Sequence, residues 1–377
     1  MKNKELVAVD LFAGAGGFSL AAILAGFSID FSIENDKFAI QTYKNNILRM
    51  KGGENTLVFD RSILECCPKT IKEQRFKDKS CDLLLGGPPC QGFSAHRILG
   101  AGVGDPRNEL ILAYFDFVRA LQPRVFLMEN VPGILWERHK PYIEKFYSEA
   151  KKAGYHLYDP AVLDARDFGL PQRRKRVFIL GVKKSEYEPD FAWPPEPTHS
   201  DPKKPVIGRS LWIPCVDVFR PTNEQDINDI HMNHGEELIE TFKRTPPNGG
   251  SRKDSGRVLS CHKNHDGHKD VYGRIDPSQP APTMTTACIN PSKGRFVHPT
   301  EHHGITLRHA ARIQTFPDSF TFWGGLTAAG RQIGNAVPIE LGKHLIQHIK
   351  KNLLTPNSLN EAKRVRKYSH KNKIEAL

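Results

Sequence analysis

Residues 5–19, ELVAVDLFAGAGGFS, indicate the fold class of this 377-residue chain. The apolar run from Leu6 to Phe12 has the length and β-rich composition of a buried strand. Gly14, Gly16 and Gly17 follow it, and glycines let the backbone pass close to a ligand. A strand that enters a helix through such a turn is typical of a nucleotide-binding βαβ unit, although an ordinary tight turn could carry the same glycines.

An acidic residue supports the nucleotide-binding interpretation. Glu34 follows Gly14 by about twenty residues, the spacing at which a carboxylate reaches a ribose hydroxyl in such a unit. The dinucleotide fingerprint is incomplete, because Ser19 occupies its third glycine position. A nucleoside ligand without a pyrophosphate therefore fits better than NAD, and a nicotinamide oxidoreductase is disfavoured.

The first half of the chain continues the alternation of strands and helices. This pattern, between residues 5 and 181, predicts an α/β fold with a doubly wound, mostly parallel sheet. After Gly181 the sequence becomes proline-rich and polar, and the alternation is lost until about residue 300, which predicts a smaller, irregular unit. The predicted strands are Leu6–Phe12, Cys81–Leu85, Arg124–Met128 and Val177–Leu180, and the predicted helices are Leu110–Leu121 and Tyr142–Lys152.

Charge and cysteine content restrict the partners and the compartment. The chain carries 54 Lys and Arg against 42 Asp and Glu, a formal net charge of +12. This charge favours a polyanionic partner, nucleic acid first, although a merely basic soluble protein is the alternative. The seven cysteines are odd in number and form no regular framework, which favours a reducing compartment. Because we find no signal-peptide core and no apolar stretch of membrane-spanning length, we expect a cytoplasmic protein with no membrane partner.

A cysteine stands in a rigid loop after a predicted strand. Residues 86–94, GGPPCQGFS, follow the apolar run CDLLL, and the paired prolines fix the backbone around Cys90. Because ligand chemistry collects at the carboxyl ends of strands in such sheets, Cys90 is a candidate nucleophile. The alternative is a buried structural cysteine, the commoner role of an isolated thiol.

Two polar motifs are predicted to reach the same edge of the sheet. Glu129-Asn130-Val131 follows the strand RVFLM, where a carboxyl group can exchange a proton with a substrate, although a solvated loop glutamate is the alternative. Residues 172–181, QRRKRVFILG, place basic residues before another strand. Strand alternation would send Arg174 and Arg176 to one side together, whereas a solvated basic face is the alternative.

Seven ordered blocks resemble the cytosine-C5 DNA methyltransferase family, and the resemblance covers nearly the whole chain. The first four are DLFAGAGGFSL, GGPPCQGFS, ENV and QRRKR; the others are GRIDPSQPAPTMTT from Gly273, LRHAARIQTFPDSF from Leu307 and RQIGNAVP from Arg331. The resemblance implies a Rossmann-like, stand-alone enzyme of prokaryotic type. Such an enzyme transfers methyl from S-adenosylmethionine to carbon 5 of a flipped-out cytosine in a specific DNA sequence, with S-adenosylhomocysteine as product.

The resemblance also implies catalytic roles. Cys90 would add to carbon 6 of cytosine, Glu129 would hold the ring at N3 and the exocyclic amine, and Arg176 with Arg174 would stabilise charge at O2. His309 stands where the family usually has a glutamate, which removes an expected structural ion pair.

For the cofactor, the resemblance implies a pocket built from both ends of the chain. Phe12 would stack on the adenine and Glu34 would bind the ribose hydroxyls. Arg61 follows Asp60 where the family usually has a hydrophobic residue, which puts the adenine contact of Asp60 in doubt. The implied cofactor-binding residues are Phe12, Ala13, Gly14, Gly16, Gly17, Glu34, Asn35, Asp60, Pro89, Leu110, Asn335 and Val337.

Four segments follow from this comparison of motifs. We expect a catalytic and cofactor-binding domain at 1–182, a target-recognition region at 183–272, the end of the recognition domain and return to the catalytic domain at 273–354, and a basic tail at 355–377. Basic residues in the second segment that could contact phosphates or guanine edges are Arg220, Lys243, Arg244, Arg252, Lys253 and Arg257.

The expected partners are double-stranded DNA and, as a candidate, a restriction endonuclease of the same system, with the enzyme itself a monomer. We expect no metal site, because Cys261, His262, His265 and His268 lack a second ligand pair of zinc-finger spacing. A transfer RNA cytosine methyltransferase could share the fold and the thiol chemistry, but the Cys-Phe-Thr signature associated with that branch is absent. A noncatalytic DNA-binding relative should lack Cys90.

Overall fold

The computed structural model describes residues 5–77, 79–89, 109–257 and 270–355. Its strands are β1 (Leu6–Leu11), β2 (Phe27–Glu34), β3 (Leu57–Asp60), β4 (Leu83–Gly86), β5 (Val125–Asn130), β6 (Tyr155–Leu157), β7 (Ala161–Asp164), β8 (Lys175–Lys183), β9 (His199–Ser200) and β10 (Ser210–Leu211). Its helices are α1 (Gly17–Leu24), α2 (Lys37–Asn46), α3 (Pro68–Arg75), α4 (Glu109–Leu121), α5 (Lys140–Lys152), α6 (Glu236–Arg244), α7 (Leu307–Ile313), α8 (Gly325–Asn335) and α9 (Ile339–Ile349).

Eight of these strands form one mostly parallel sheet, which confirms the predicted fold class. Its order is β3-β2-β1-β4-β5-β8-β6, with β7 also paired to β8. Neighbouring strands from β1 to β5 pair in parallel, whereas β8 runs antiparallel to β5, β6 and β7. The predicted strands correspond to β1, β4, β5 and β8, and the predicted helices to α4 and α5, with ends shifted by a few residues.

The antiparallel strand β8 has a direct consequence for the site. Asn130, the last residue of β5, pairs with Val177 near the start of β8. The start of β8, which carries Arg176, therefore lies at the edge of the sheet where β1, β4 and β5 end.

Alternating side chains give the sheet two apolar faces. Leu83 and Leu85 face one cluster with α1 and α9, whereas Leu84 faces a second cluster with α3, α4 and α5. Both faces are thus covered by helices, as a doubly wound sheet requires.

The C-terminal helix α9 and the segment before it pack against α1, the first helix of the chain. Helix α9 packs on α1, and a Cβ at Gly342 would lie 3.0 Å from the Ala21 Cβ. A Cβ at Gly17 would lie 3.0 Å from the Val337 carbonyl oxygen. The segment after α8 therefore forms part of the surroundings of the glycine loop.

Between β8 and α7 the structure is irregular and is held by buried polar groups. The Arg308 guanidinium pairs with Asp226, and Asn228 exchanges two hydrogen bonds with the backbone of Phe322. Arg274, 1% exposed, donates to the carbonyls of Phe242, Thr245, His298 and Glu301. No helix in the described ranges is long and apolar enough to span a membrane.

Candidate active site

A cavity of about 400 Å³ opens at the carboxyl edge of the sheet. Its wall combines the glycine loop, the ends of β2 and β5, the residues after β4, and the end of α8. The lining residues are Asp10, Phe12, Ala13, Gly14, Ala15, Gly17, Phe18, Glu34, Asn35, Asp36, Ala39, Gly87, Pro88, Pro89, Glu129, Asn130, Val131, Arg176, Arg331, Gln332, Gly334, Asn335, Ala336 and Val337.

The glycine loop bends sharply as it leaves β1. Phe12 has φ = 58°, which is rare for a bulky residue, and Gly14 has φ = 55°. The Ala13 N–H donates to the Ile33 carbonyl at 3.0 Å and fixes the loop against β2. Nothing lies within 4 Å of a Cβ built on Gly14, so the loop leaves open space at this point of the cavity wall.

Glu34 holds this loop from the end of β2. Its Oε2 accepts from the Gly14 N–H at 2.8 Å, and its Oε1 accepts from the N–H groups of Asn35 and Asp36, each at 2.8 Å. A carboxylate that accepts three backbone bonds is fixed in direction, and it retains lone pairs for hydroxyl donors in the cavity.

Ser19 has a specific partner beneath the loop. Its N–H and hydroxyl donate to Asp10 Oδ2 at 3.0 and 2.7 Å, and the hydroxyl also lies 2.8 Å from the Tyr43 hydroxyl. Burial raises the pKa of Asp10 to about 7, although the bonds from Ser19 lower it. The residue in the third glycine position therefore anchors α1 to β1.

Helix α8 provides the opposite wall. Asn335 at the end of α8 and Val337 just after it line the cavity, as does Arg331, one turn before Asn335. The Arg331 guanidinium pairs with the Asp36 carboxylate at 2.7 Å. Asp36 also caps α2, because it accepts from the N–H groups of Phe38 and Ala39. The sequence assigned no role to Arg331 or Asp36, although Arg331 opens the block RQIGNAVP and Asp36 follows Asn35, a residue implied for the cofactor.

An acid and an arginine meet at the inner end of the cavity. Arg176 Nε lies 2.8 Å from Glu129 Oε1, and Arg176 Nη1 donates to the Lys175 carbonyl at 2.8 Å. Burial raises the pKa of the Glu129 carboxyl group, whereas the charges of Arg176 and Arg174 lower it. The net direction is upward, so Glu129 keeps its proton to higher pH than a free glutamate does.

The loop after β4 is tied to this acid. Asn130 Nδ2 donates to the Pro88 carbonyl at 3.2 Å, and a Cβ at Gly87 would lie 3.2 Å from Glu129 Oε2. Pro89 lines the cavity and is the last described residue before Cys90. Cys90 itself lies outside the described residues, so its predicted role is argued from the sequence.

Arg174 is placed differently from Arg176, although both precede or begin β8. It is 1% exposed and donates to the carbonyls of Met284, Gly334 and Ala336 at 2.7 to 3.0 Å. Gln172 lies beside it, accepting from the Met284 N–H at 2.9 Å and donating to Gln314 Oε1 at 2.8 Å. These buried side chains connect β8 to the wall formed by the end of α8.

Three of the residues implied for the cofactor do not line this cavity. Gly16 faces Ile47, whose Cγ1 would lie 2.8 Å from an added Cβ. Asp60 is exposed and lies 3.5 Å from Lys44 Nζ. Leu110 is half-buried and packs against the cluster that contains α4.

Most basic residues proposed for DNA contact already have partners. Arg220 pairs with Asp318, Lys243 with Glu240, and Arg257 with Glu237. Arg252 is 3% exposed and donates to the Arg257 carbonyl. Arg244 is exposed, and Lys253 is exposed with contacts of its own. The described residues contain no cluster of His, Cys, Asp or Glu arranged to hold a metal. The side chains considered for a metal site, Cys261, His262, His265 and His268, lie outside the described residues.

These features fit a nucleoside-containing cofactor of moderate size. The cavity volume lies within the range of small-molecule sites. The open space at Gly14 admits a ligand close to the backbone, Glu34 provides acceptors for ribose hydroxyls, and Phe12 offers a ring. A doubly wound sheet with such a cavity, beside a buried acid and arginine, defines the class of Rossmann-like S-adenosylmethionine-dependent methyltransferases.

Comparison with known families makes the assignment specific. A family model described as C-5 cytosine-specific DNA methylase matches residues 6–351, and the chain therefore belongs to that family. It is a DNA cytosine-C5 methyltransferase, and methyl transfer in this class depends on S-adenosylmethionine.

Relatives and solved structures agree with this family. The chain is 34% identical to Type II methyltransferase M1.BsuMI of Bacillus subtilis, covering 92% of this chain and 81% of that protein. It is 30% identical to Type II methyltransferase M1.HphI of Haemophilus parahaemolyticus, covering 92% and 87%. A solved E. coli structure, described as a prophage-encoded DNA modification methyltransferase, has a TM-score of 0.71 and 25% identity over 93% of this chain and 100% of that one. The Dnmt2 methyltransferase of S. pombe, with TM-score 0.58 and 17% identity over 92% and 99% of the two chains, shows the fold alone.

Proposed function

We propose that the chain methylates a flipped-out cytosine in a specific DNA sequence through a covalent bond from Cys90 to carbon 6. The observation that carries the proposal is the Glu129–Arg176 pair at the inner end of the cavity, directly beside the loop that leads to Cys90. A flipped base is needed because carbon 6 is inaccessible in a stacked duplex.

Glu129 has the environment that this chemistry needs. Its pKa is raised by burial, so the carboxyl group can donate a proton to N3 of cytosine as the thiolate adds. Arg176 is held against Glu129 and the Lys175 carbonyl, and this support would allow it to stabilise the charge that develops at O2. Arg174 acts as a positioning residue, because its bonds run to the backbone of Met284, Gly334 and Ala336.

Cofactor binding is assigned to the glycine loop and the walls around it. Phe12, Ala13, Gly14, Gly17, Glu34, Asn35, Pro89, Asn335 and Val337 would hold S-adenosylmethionine. When bound, this cofactor supplies an electrophilic methyl group on a sulfonium. Glu34 would orient the ribose, and the Gly17–Val337 contact would keep the loop against the wall of α8. Gly16 would act by keeping α1 close to Ile47.

The Type II names of the relatives support a place in a restriction-modification system, with a cognate endonuclease as candidate partner. A cytoplasmic location, a monomeric state and the divisions 1–182, 183–272, 273–354 and 355–377 remain parts of the proposal.

A mechanism-based substrate tests the nucleophile. With 5-fluorocytosine at the target position and S-adenosylmethionine present, fluorine cannot leave as a cation, so elimination is blocked after methyl transfer. A denaturant-resistant adduct should form and map to Cys90, and Cys90→Ser should abolish both the adduct and turnover. Glu129→Gln should slow adduct formation about 10²- to 10⁴-fold without moving its position, because the amide cannot supply the proton. An adduct at another cysteine, or turnover by the serine variant, would contradict the proposal.

A further inference from the structure

The basic run before and at the start of β8 divides into inward and outward side chains. Gln172 and Arg174 are buried, and Arg176 is turned to the cavity. Arg173 and Lys175, which alternate with them, are exposed. The alternation therefore sorts the basic side chains of this motif into two groups with different surroundings.

The backbone fixes the outward direction of Arg173. Its N–H donates to the Ala281 carbonyl at 2.8 Å, and its carbonyl accepts from the Thr283 hydroxyl at 2.5 Å. The neighbouring Gln172 forms a parallel bridge with Ala281. Because these backbone bonds hold the segment and Arg174 is buried, the exposed Arg173 side chain extends into solvent from a rigid backbone.

Neither outward cation is neutralised within the described parts of the chain. Lys175 is paired in register with Asp164 across β7 and β8. The Asp164 carboxylate is occupied by the Arg166 guanidinium at 2.8 Å and by the Arg166 N–H at 3.2 Å. Over residues 5–77, 79–89, 109–257 and 270–355, no carboxylate forms an ion pair with Arg173 or Lys175.

We propose that Arg173 and Lys175 contact backbone phosphates of the DNA duplex beside the flipped cytosine. The inference rests on DNA as the substrate, which membership of the family provides. The two cations flank Arg174, and Lys175 directly precedes Arg176, which lies in the cavity where the base would enter. A phosphate contact at this place would fix the position of the duplex relative to the base pocket without reading the sequence.

Charge pairing elsewhere strengthens the assignment. Arg220, Lys243 and Arg257 in the recognition segment already form ion pairs, so a phosphate would have to compete with a carboxylate there. No carboxylate in the described ranges pairs with Arg173 or Lys175, so a phosphate there would displace mainly counterions, and release of those counterions favours binding.

Salt dependence of DNA binding tests the proposal. Arg173→Gln, Lys175→Gln and the double variant are titrated with a duplex of arbitrary sequence in the presence of S-adenosylhomocysteine, at several salt concentrations between 50 and 200 mM. Each lost phosphate contact should reduce the slope of log affinity against log salt by about 0.9, and the double variant should lose about twice that. Between 200 and 50 mM salt, the affinity of each single variant should therefore rise about 3-fold less than the affinity of the parent protein rises.

Matched controls separate a local contact from a general charge effect. Lys51→Gln removes one exposed cation far from β8, on the side of the sheet that contains β2 and β3. The neighbouring Gly52 fixes this position, because its carbonyl accepts from the Ile29 N–H in β2. This variant should keep the parent slope, and Arg173→Lys should keep it as well because the charge remains. An unchanged affinity for S-adenosylhomocysteine shows that each variant is folded. Parent slopes in the Arg173→Gln and Lys175→Gln variants, or an equal loss in Lys51→Gln, would overturn the proposal.

Discussion

At the scale of single residues, Glu34 both shapes the glycine loop and faces the cavity. Its three backbone bonds place the carboxylate before any ligand arrives. Asp60, its register partner on β3, is exposed and turned to Lys44 instead. The two acids end neighbouring strands, yet the structure gives them different surroundings.

Removal of the Glu34 carboxylate should weaken cofactor binding. Glu34→Ala loses a charge-assisted hydrogen bond to the ribose, worth about 1.5 to 3 kcal/mol, or roughly 10- to 150-fold in affinity. Calorimetric titration with S-adenosylhomocysteine measures the change. Asp60→Asn is the control and should retain the parent affinity; equal losses in both variants would return Asp60 to the pocket.

Asp10 should make stability fall as pH rises. Its folded pKa of about 7 lies above the usual value of 3.8, because the carboxyl group is buried. The native state therefore binds this proton more tightly than the unfolded state does. The resulting gain in the free energy of unfolding is complete below about pH 4 and is lost as pH rises through about 7.

The variant Asp10→Asn tests this sign. Because the amide does not titrate, the free energy of unfolding of the variant minus that of the parent should increase from pH 5 to pH 8, so that the variant gains stability relative to the parent. Urea unfolding at several pH values provides the measurement. A stability difference that stays constant over this range would show that Asp10 does not titrate there.

At the scale of elements, His309 stands where the family usually has a glutamate, and it helps to cap the N-terminus of α7. It stands at the third position of α7, where its N–H donates to the Thr306 hydroxyl at 3.1 Å and its Nδ1 accepts from the Thr306 N–H at 3.3 Å. The two bonds form a capping box. Burial, and after it the charge of the neighbouring His298, lowers the pKa of His309 to about 3.

Acid should destabilise the protein through this cap. Because the folded pKa of His309 is depressed, its contribution is complete above about pH 6.5 and is lost as pH falls below that value. Glutamine can serve in a capping box but does not titrate, so His309→Gln should lose less stability than the parent between pH 7 and pH 5. Thermal unfolding at both pH values measures the difference. Parallel losses in the two proteins would remove His309 from the acid response.

At the scale of the whole molecule, the proposed recognition segment is bound into the C-terminal part by buried groups. Asp226 pairs with Arg308, and Asn228 binds the backbone of Phe322. Arg312 donates to the Val218, Arg220 and Pro221 carbonyls. Exchange of residues 183–272 alone would leave the buried Arg308 without the Asp226 carboxylate, and the new segment would have to place its own carbonyls against Arg312.

A graft that respects these contacts should move the methylated sequence. We expect a chimera that carries residues 183–272 of a relative with different specificity, but keeps Asp226 and Asn228, to methylate the relative's site. In the same chimera, Asp226→Ala should lower the free energy of unfolding by about 3 to 5 kcal/mol, because Arg308 then stays buried without its carboxylate. Bisulfite sequencing of DNA from expressing cells identifies the site. An active chimera that still methylates the parent sequence would place the recognition determinants outside the segment.

The sequence by itself determined the fold class, because strand and helix periodicities and the glycine turn are local properties of the chain. It also determined the family, since seven ordered blocks carry the resemblance and the family model matches residues 6–351. The tertiary structure decided which side chains share a cavity. Arg174 and Arg176 are two residues apart, yet Arg174 reaches Met284 and Gly334, 110 and 160 residues away, whereas Arg176 pairs with Glu129 across an antiparallel strand. Such partners are invisible to periodicity, because they depend on how distant segments pack around β8, and the same packing leaves Arg173 and Lys175 exposed.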